Sequence, residues 1–414
     1  MAKYKIDALV EKELLKMRKT HQDGKSLQTY YTPLSLVGEM LDRLPKLSNK
    51  KVLVVGSSEI YFLLQHLVNE GHIVGLDLHF LTDMEELRGV RNVIVTDFKN
   101  ISNFKLNMRF DIVIGNPPFQ DGDRKDKANK LWPFFVRFGD SVLEEEGFLC
   151  LIHPINWIIP TADIGKGPSG FSILRDLFKK NQLIYANLDS DGIRSKYFPK
   201  IGSKFSYYVM QKVEATTPTE FQTATETFYV DLSSVESIPK VVTGAAFSIL
   251  SKLRSVPSFS FLDQNHEIAT DGKNKGNNST QGMKEPSTEF TFKNYHTPAG
   301  GGTFRYSNRP HSKAHLPKVM ISLSGKYIPT PDEGEMGYTG MVLTYLTDNP
   351  KLVAEILSKK IYKFYVEMEK HSGFVPRPQV LSLPKVDTTR PWTDQELYEH
   401  FDLTQEEIDL IESR

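Results

Sequence analysis

The sequence predicts a doubly wound α/β domain followed by a second domain of mixed α+β composition. Between residues 51 and 212, short apolar runs rich in Val and Ile alternate with amphipathic stretches, as in βαβ units around a parallel sheet. After residue 212 the chain becomes rich in Thr, Ser and Glu, which indicates a connection between domains. The 414 residues are enough for two or three domains.

Six apolar runs are the predicted strands of the first domain: 52–55, 73–78, 93–95, 111–114, 148–152 and 205–210. The stretch 60–71 repeats its leucines at helical spacing and is the first predicted crossover helix. Gly56, Asp77, Asp97 and Asn116 stand at the ends of the first four runs, 21, 20 and 19 residues apart. That spacing fits one strand plus one crossover each, and the carboxyl ends of such strands hold the ligand site.

The domain boundaries predicted from the same pattern are 1–213 for the first domain with an N-terminal helical motif, 214–390 for the second, and 391–414 for an acidic helical tail. A short strand is expected at 227–232, a polar loop at 264–287 and an amphipathic helix at 352–368. Two capping boxes, Thr393 to Glu396 and Thr404 to Glu407, each predict the start of a tail helix.

Composition excludes several classes of protein. The 51 basic and 51 acidic residues balance, which argues against a binder of nucleic acid that relies on a large basic excess but leaves room for one basic face. Cys150 is the single cysteine, so no disulfide framework is expected, and no His/Cys spacing indicates a metal site. Without a signal-like or membrane-spanning apolar run, we expect a cytoplasmic protein that does not enter a membrane.

The sharpest motif is Asn116-Pro117-Pro118-Phe119, at the end of the fourth predicted strand. By itself it also fits a turn imposed by proline. Its position at a strand end favours a site, because the Asn116 side-chain oxygen and the Pro117 carbonyl can both accept from one planar amino group. Phe119 would add a flat face for a base. Together these four residues predict a receptor for an exocyclic aromatic amine.

This motif, with Tyr31-Thr32-Pro33 upstream of the first strand, resembles the N6-adenine DNA methyltransferases of the gamma class found in restriction-modification systems. The resemblance covers about residues 28–212. It implies a Rossmann-like fold, S-adenosylmethionine as cofactor, and a C-terminal domain that recognises the DNA target. It also implies that adenine is flipped out of the duplex before the methyl group is transferred directly.

The resemblance further assigns cofactor-binding roles. Tyr31, Thr32 and Pro33 would pack over the methionine end of S-adenosylmethionine. Asp77 matches the acid after strand two that binds the ribose, and Asp97-Phe98 matches the pair after strand three that holds the adenine. Both aspartates also have a simpler interpretation as caps at strand or helix ends.

One departure from the family pattern concerns the turn after strand one. The family usually has two glycines there, whereas this chain has Gly56 followed by Ser57 and Ser58. Either Gly56 alone makes the turn and small serines still allow the cofactor to approach, or cofactor binding is weakened or altered. A non-catalytic DNA-binding relative therefore stays open, as does a methyltransferase that acts on amino groups of RNA or protein.

A basic segment, defined as residues 290–331, is the predicted DNA-binding surface. It contains no Asp or Glu and six cations: Lys293, Arg305, Arg309, Lys313, Lys318 and Lys326. A solvated basic loop is the simpler interpretation; cations interleaved with aromatic rings favour contact with DNA. The predicted partners are double-stranded DNA and a cognate restriction endonuclease. Residues 121–127 form a polar loop that could become ordered on substrate.

Overall fold

The computed structural model describes residues 31–120, 130–158, 177–178, 180–199, 202, 204–235, 238–262, 266–269, 280–298, 303–370 and 373–414. The chain divides into two compact units, Met1–Ser237 and Ile238–Arg414. This division lies 24 residues beyond the predicted boundary at 213, because two further strands belong to the first unit's sheet. No helix in the described ranges combines the length and apolar character needed to cross a bilayer.

Unit 1 contains a nine-stranded sheet in the order β3-β2-β1-β4-β5-β7-β6-β8-β9. Its strands are β1 Lys51–Val55, β2 Asp77–Thr82, β3 Val93–Val95, β4 Phe110–Gly115, β5 Leu143–Pro154, β6 Gln182–Asn187, β7 Phe205–Gln211, β8 Thr219–Gln222 and β9 Thr227–Val230. Strand β7 is antiparallel to both β5 and β6, and β9 is antiparallel to β8. All other neighbouring strands of the sheet are parallel. The predicted doubly wound fold is confirmed, and the order with the reversed β7 between β5 and β6 is that of a Rossmann-like methyltransferase.

Among the described residues of unit 1, the predicted crossover helix after β1 is present, whereas the crossovers after β2 and β3 contain short 3-10 turns. The helices are α1 Leu34–Asp42, α2 Ser58–Asn69, α3 Trp132–Val142 and α4 Ser190–Tyr197, with 3-10 turns at Glu85–Leu87, Phe98–Asn103, Ile155–Ile158 and Leu232–Ser234. Buried residues occupy nearly the whole of β1 and β4, as expected for parallel strands that are covered on both faces.

The second strand does not lie where the apolar run predicts it. Gly75 has φ +70°, and a Cβ there would lie 2.2 Å from Asn49 Oδ1, so the chain turns at this glycine. Val74 is left exposed and β2 begins only at Asp77. The predicted strand 73–78 is therefore shifted toward the C-terminus by about four residues.

Unit 2 is a mixed α+β unit, with strands β10 Ile268–Ala269, β11 Thr280–Gln281, β12 Phe292–Tyr295, β13 Phe304–Ser307, β14 Lys318–Ser322, β15 Pro329–Asp332, β16 Gly337–Tyr338 and β17 Val342–Leu346. They form small sheets β10-β11, β13-β12-β16 and β15-β14-β17. The helices are α5 Gly244–Arg254, α6 Pro350–Leu357, α7 Lys360–Met368, α8 Arg377–Leu381, α9 Asp394–His400 and α10 Gln405–Glu412.

The acidic tail is part of unit 2 and not a separate body. Both predicted capping boxes are present, at Thr393 and Thr404. Leu397 and Ile411 from the two tail helices join the main hydrophobic cluster of the unit. Lys252 on α5 also forms an ion pair of 2.8 Å with Glu407. The tail helices therefore bury their apolar faces in unit 2, and their charged residues lie on the opposite faces.

Candidate active site

Three loops of unit 1 meet at one hydrogen-bonded junction. The Asn116 side chain, which follows β4, donates from Nδ2 to Thr32 Oγ1 over 3.0 Å. Thr32 Oγ1 lies 3.1 Å from Ser57 Oγ, just beyond β1. All three residues are buried. The segment upstream of β1, the turn after β1 and the motif after β4 are thus brought together.

Gly56 is required at this junction for two reasons. Its φ is +66°, a left-handed conformation that favours glycine. A Cβ at this position would also lie 2.8 Å from Pro117 Cα and 3.3 Å from the Asn116 carbonyl oxygen. Val55 and Gly115 are paired in parallel register, so the two strand exits are adjacent. The single glycine of the turn therefore gives room for the Asn-Pro-Pro backbone.

Ser57 and Glu59 add buried polar groups beside the junction. Ser57 is the N-cap of α2, and its Oγ accepts from Ile60 N at 3.4 Å. The same hydroxyl donates to Glu59 Oε2 over 3.1 Å, and Glu59 is buried in the first turn of the helix. A carboxylate at a helix N-terminus is favoured by the helix dipole. In the sequence, the signal for this helix start is a serine followed by an acid two residues later.

Phe119 lies in an apolar environment rather than on an open face. Its side chain is buried, and its ring centroid is 5.3 Å from that of Phe205 with the planes tilted by 40°. The Phe119 carbonyl accepts from Leu131 N at 2.9 Å, so residues 119 and 131 are adjacent. The predicted substrate-ordered loop 121–127 lies outside the described residues. Stacking of Phe119 on a base stays a prediction.

Asp77 requires a correction. It is the first residue of β2 and pairs with Lys51 at the start of β1, so it lies at the amino end of the sheet, opposite the end where Gly56 and Asn116 emerge. Its Oδ1 lies 3.0 Å from His79 Nε2. The predicted second strand, 73–78, ends before the observed β2 does, and the acid that follows β2 is Asp83.

Asp83 lies half-buried at the carboxyl end of the sheet. Burial raises the pKa of its carboxyl above the ordinary value, and the nearby charges of Asp97 and Glu86 raise it further. Asp97 follows β3, so the two carboxylates approach one another at adjacent strand exits. Such a pair can accept hydrogen bonds from hydroxyl groups of a ligand.

Asp97 and Phe98 both have structural roles. Asp97 caps a 3-10 turn by accepting from Lys99 N at 2.9 Å and Asn100 Nδ2 at 3.1 Å. Phe98 is fully buried and packs edge-on against Phe135 at 5.0 Å. The capping interpretation of Asp97 is confirmed. Because the Phe98 ring has no exposed face, it could contact a cofactor only if the core opened.

Tyr31 and Pro33 lie on either side of Thr32 in the segment that leads into α1. The Tyr31 phenol oxygen is buried, and Pro33 is the N-cap of the helix. Glu39 and Arg43 on α1 bind α4 and the sheet: Tyr197 OH donates to Glu39, and Arg43 pairs with Glu220 at 2.8 Å. These contacts fix the position from which Thr32 reaches Asn116.

The basic segment of unit 2 divides into exposed and buried cations. Lys293, Arg309 and Lys326 are exposed, whereas Arg305 and Lys313 are half-buried. Ser312 fixes the Arg309–Lys313 loop by donating to Glu267 from N at 2.8 Å and from Oγ at 2.7 Å.

Lys318 is the exception, and its predicted contact with DNA phosphate is corrected. Its side chain is fully buried on β14, and Nζ lies 2.5 Å from Asp332 Oδ2. The ammonium also donates to the carbonyls of Ala314 and Leu316, at 3.1 and 2.8 Å. These three acceptors satisfy all three donors of the ammonium, so Lys318 stabilises the unit from inside.

Comparison with known proteins identifies the segment around this site. Residues 63–185 match the Eco57I restriction-modification methylase family. The matched residues include Asp83, Asp97 and the Asn-Pro-Pro-Phe motif, so this part of the chain is similar to a restriction-modification methyltransferase. No curated protein matches the chain significantly.

Solved structures resemble the chain only distantly. A modification subunit assigned to a type I restriction enzyme of Vibrio vulnificus is 16% identical over 53% of this chain and 51% of that one, with a TM-score of 0.37. A class I S-adenosylmethionine-dependent methyltransferase assigned in Listeria monocytogenes is 13% identical over 52% and 72%, with a TM-score of 0.36. The type IIG restriction endonuclease BpuSI is 9% identical over 96% and 63%, with a TM-score of 0.40. The chain thus spans about half of the modification subunit, and its own strand order defines the fold.

His153 is a buried titratable group at the carboxyl end of β5. Its ring stacks on Trp132 with centroids 4.5 Å apart, and Nδ1 lies 3.1 Å from the Pro154 carbonyl. Burial lowers the pKa of His153 to about 4, so the ring is neutral at physiological pH. Among the described residues, no group of three or more His, Cys, Asp or Glu side chains is arranged to hold a metal ion.

The neutral His153 predicts that unit 1 is destabilised by acid. Its folded-state pKa of about 4 lies below the unfolded value of 6.5, so its contribution is present above pH 6.5 and is lost as the pH falls toward 4. We expect a slope of up to about 1.4 kcal/mol per pH unit in that window. Hydrogen exchange of β5 and β7 amides between pH 7 and pH 4.5 measures it. His153→Phe should reduce the slope, whereas His72→Phe at an exposed position should not; equal slopes in both variants would contradict the assignment.

Proposed function

We propose that this protein is a site-specific DNA adenine-N6 methyltransferase of a restriction-modification system, with S-adenosylmethionine as methyl donor. The observation that carries the proposal is the junction of Asn116, Thr32 and Ser57 at the adjacent exits of β4 and β1. The family match over residues 63–185 supports the same chemistry. Double-stranded DNA is the proposed substrate and a cognate restriction endonuclease the proposed partner.

The junction orients the Asn116 amide for its role. Because Nδ2 donates to Thr32, the oxygen occupies the other end of the amide and can accept from a substrate amino group. Pro117 has no N–H, so this position of the backbone offers only a carbonyl. By accepting from one amino group, Asn116 Oδ1 and the Pro117 carbonyl would direct its nitrogen lone pair toward the methyl group of bound S-adenosylmethionine. S-adenosylhomocysteine would be the leaving group, and the methylated nitrogen would lose a proton afterwards. No base has to remove a proton first, because the lone pair of the amino group is itself the nucleophile.

The residues at the strand exits fit the proposed cofactor. A half-buried Asp83 carboxylate beside Asp97 can bind ribose hydroxyls, and burial together with the charge of Asp97 raises its pKa. Gly56 and the α2 N-terminus provide backbone close to the junction. We therefore assign the ribose to Asp83 in place of Asp77.

The test of the proposed function is analysis of the methylated base. DNA incubated with the purified full chain and labelled S-adenosylmethionine is digested to nucleosides and separated. We expect label in N6-methyladenine. Label in N4-methylcytosine would overturn the adenine assignment, and transfer to RNA or protein but not to DNA would overturn the substrate.

A non-catalytic DNA-binding relative is the second candidate, favoured by one observation. The space that Gly56 leaves is taken by the Pro117 backbone, and Ser57 is used as the N-cap of α2. The turn after β1 therefore has no second glycine that would let a cofactor approach the backbone closely. A thermal shift or calorimetric titration with S-adenosylmethionine separates the two candidates. No binding at millimolar cofactor, together with intact binding to duplex DNA, would favour the second.

The corrected acid gives a matched pair of variants. Asp83→Asn should weaken S-adenosylmethionine binding by about 2 kcal/mol, roughly 30-fold in Kd, through loss of charge-assisted hydrogen bonds. Asp77→Asn, at the opposite end of the sheet, should leave Kd unchanged. Calorimetry on both variants checks this, and the reverse pattern would restore the original assignment to Asp77.

A further inference from the structure

Two segments of unit 2 that lack acidic residues lie side by side. The basic segment, 290–331, has no Asp or Glu, and neither does 370–386. Because 51 of the 414 residues are acidic, segments of these lengths would ordinarily contain about five and two acids. The joint absence indicates a common surface that carries little negative charge of its own.

Backbone hydrogen bonds join these segments along a short ladder. Ser324 and Phe374 form an antiparallel bridge. Val375 N donates to the Leu323 carbonyl at 2.9 Å, and Gly325 N donates to the Gly373 carbonyl at 3.2 Å. Thr297 Oγ1 donates to the Ser324 carbonyl at 3.3 Å, which extends the contact toward the end of β12.

Phe374 is held outward by this ladder. Neighbouring residues of an extended segment point to opposite faces, and Val375 is buried in the main cluster. Phe374 is consequently 58% exposed, and the nearby Lys326 and Ile328 are exposed as well. The ring is presented on a backbone that is already ordered, so binding through it costs little conformational entropy.

We propose that this edge, residues 323–328 with 373–377, is a second contact of unit 2 with duplex DNA. Phe374 inserts at a base step that opens on binding and stacks on the base exposed there, and Lys326 neutralises a phosphate. The inference rests on the proposed function and extends the DNA surface from the basic segment to residues 373–377. An anionic partner fits because Lys326 is exposed on this edge and neither strand of the ladder carries an acid, while Lys370, which donates to the Gly325 carbonyl at 2.9 Å, is paired with Glu367. A second copy would bring the same cations against it and be repelled.

A tryptophan at this position reports the contact directly. The three native tryptophans are buried, so the indole introduced by Phe374→Trp is exposed and can be distinguished from them by its fluorescence. The probe is a duplex fragment that the wild-type protein methylates. We expect the duplex to quench the new emission and protect it from acrylamide. Tyr229→Trp, on the exposed edge strand β9, is the matched control and should show neither effect. Protection that rises with protein concentration without DNA would overturn the proposal in favour of a second copy.

Binding of the same duplex tests the two contacts separately. Phe374→Ala should raise Kd by about tenfold or more, and Phe374→Leu, which keeps apolar bulk but loses the ring, should lose most of the same affinity. Lys326→Ala should lower the salt slope of binding by about one unit. Unchanged Kd and slope in these variants, while wild type methylates the duplex, would overturn this inference and leave the proposed function intact. A wild-type protein that binds no duplex would overturn both.

Discussion

Asn116→Ala is expected to lower the rate of methyl transfer by about 100-fold or more while leaving cofactor and DNA binding within about twofold. The substitution removes one of two acceptors whose interaction with the amino group strengthens as the nitrogen becomes tetrahedral, a loss of about 3 kcal/mol in the transition state. A single-turnover rate with labelled S-adenosylmethionine and excess enzyme measures the chemical step. A wild-type rate in this variant would show that the active site has been wrongly assigned.

Two further variants separate chemistry from stability. Asn187→Ala removes another buried asparagine at a strand end, where Oδ1 accepts from Asp189 N at 3.0 Å, and should leave the transfer rate nearly unchanged. Thr32→Val removes the acceptor that orients the Asn116 amide, so the rate should fall about tenfold with Kd values preserved. Equal losses in Asn116→Ala and Asn187→Ala would instead indicate general destabilisation of the sheet.

The junction could be predicted because its residues stand beside unambiguous strands. Val52 to Val55 and Ile112 to Ile114 are continuous buried runs, and the parallel pairing of β1 with β4 follows from a doubly wound sheet. Once these strands are adjacent, Gly56 and Asn116 must emerge together. The hydrogen bond from Asn116 to Thr32 could not be predicted, because the two residues are 84 positions apart and the bond depends on the orientation of both side chains.

Asp77 was misplaced for a reason that is local to its strand. An apolar run marks a strand but not which of its residues begin it, and the turn at Gly75 lies inside the run. Strand β8 was not predicted, and β9 was predicted at 227–232 but assigned to the connection between domains, because both strands are only four residues long and the surrounding stretch is rich in Thr, Ser and Glu. The predicted boundary at 213 therefore lies before the end of unit 1.

The buried Lys318 is the second place where composition misled the prediction. The basic segment was defined by its lack of acids up to residue 331, and the partner of Lys318 is the next residue, Asp332. The two come together because β14 and β15 are antiparallel and Lys318 is directly opposite Asp332. A charge count along the chain has no information about that pairing.

Lys318→Met is expected to destabilise unit 2 by about 3–5 kcal/mol, because it leaves the Asp332 carboxylate buried without its cation. Gly334 N and Glu335 N, which donate to Asp332 at 3.3 and 3.2 Å, would only partly compensate. Hydrogen exchange of the β14 amides reports local and global opening of this unit, and the exchange rates should rise by about two to four orders of magnitude where opening limits them.

The double variant Lys318→Met with Asp332→Asn separates loss of the ion pair from loss of packing. It removes both charges and keeps an oxygen for Gly334 N and Glu335 N, so most of the stability should return. Lys313→Ala, a half-buried cation of the same segment, should leave exchange unchanged and lower the salt slope of DNA binding. If Lys318→Met itself left exchange unchanged and lowered that slope by about one unit, Lys318 would bind phosphate and the buried pair with Asp332 would not exist in solution.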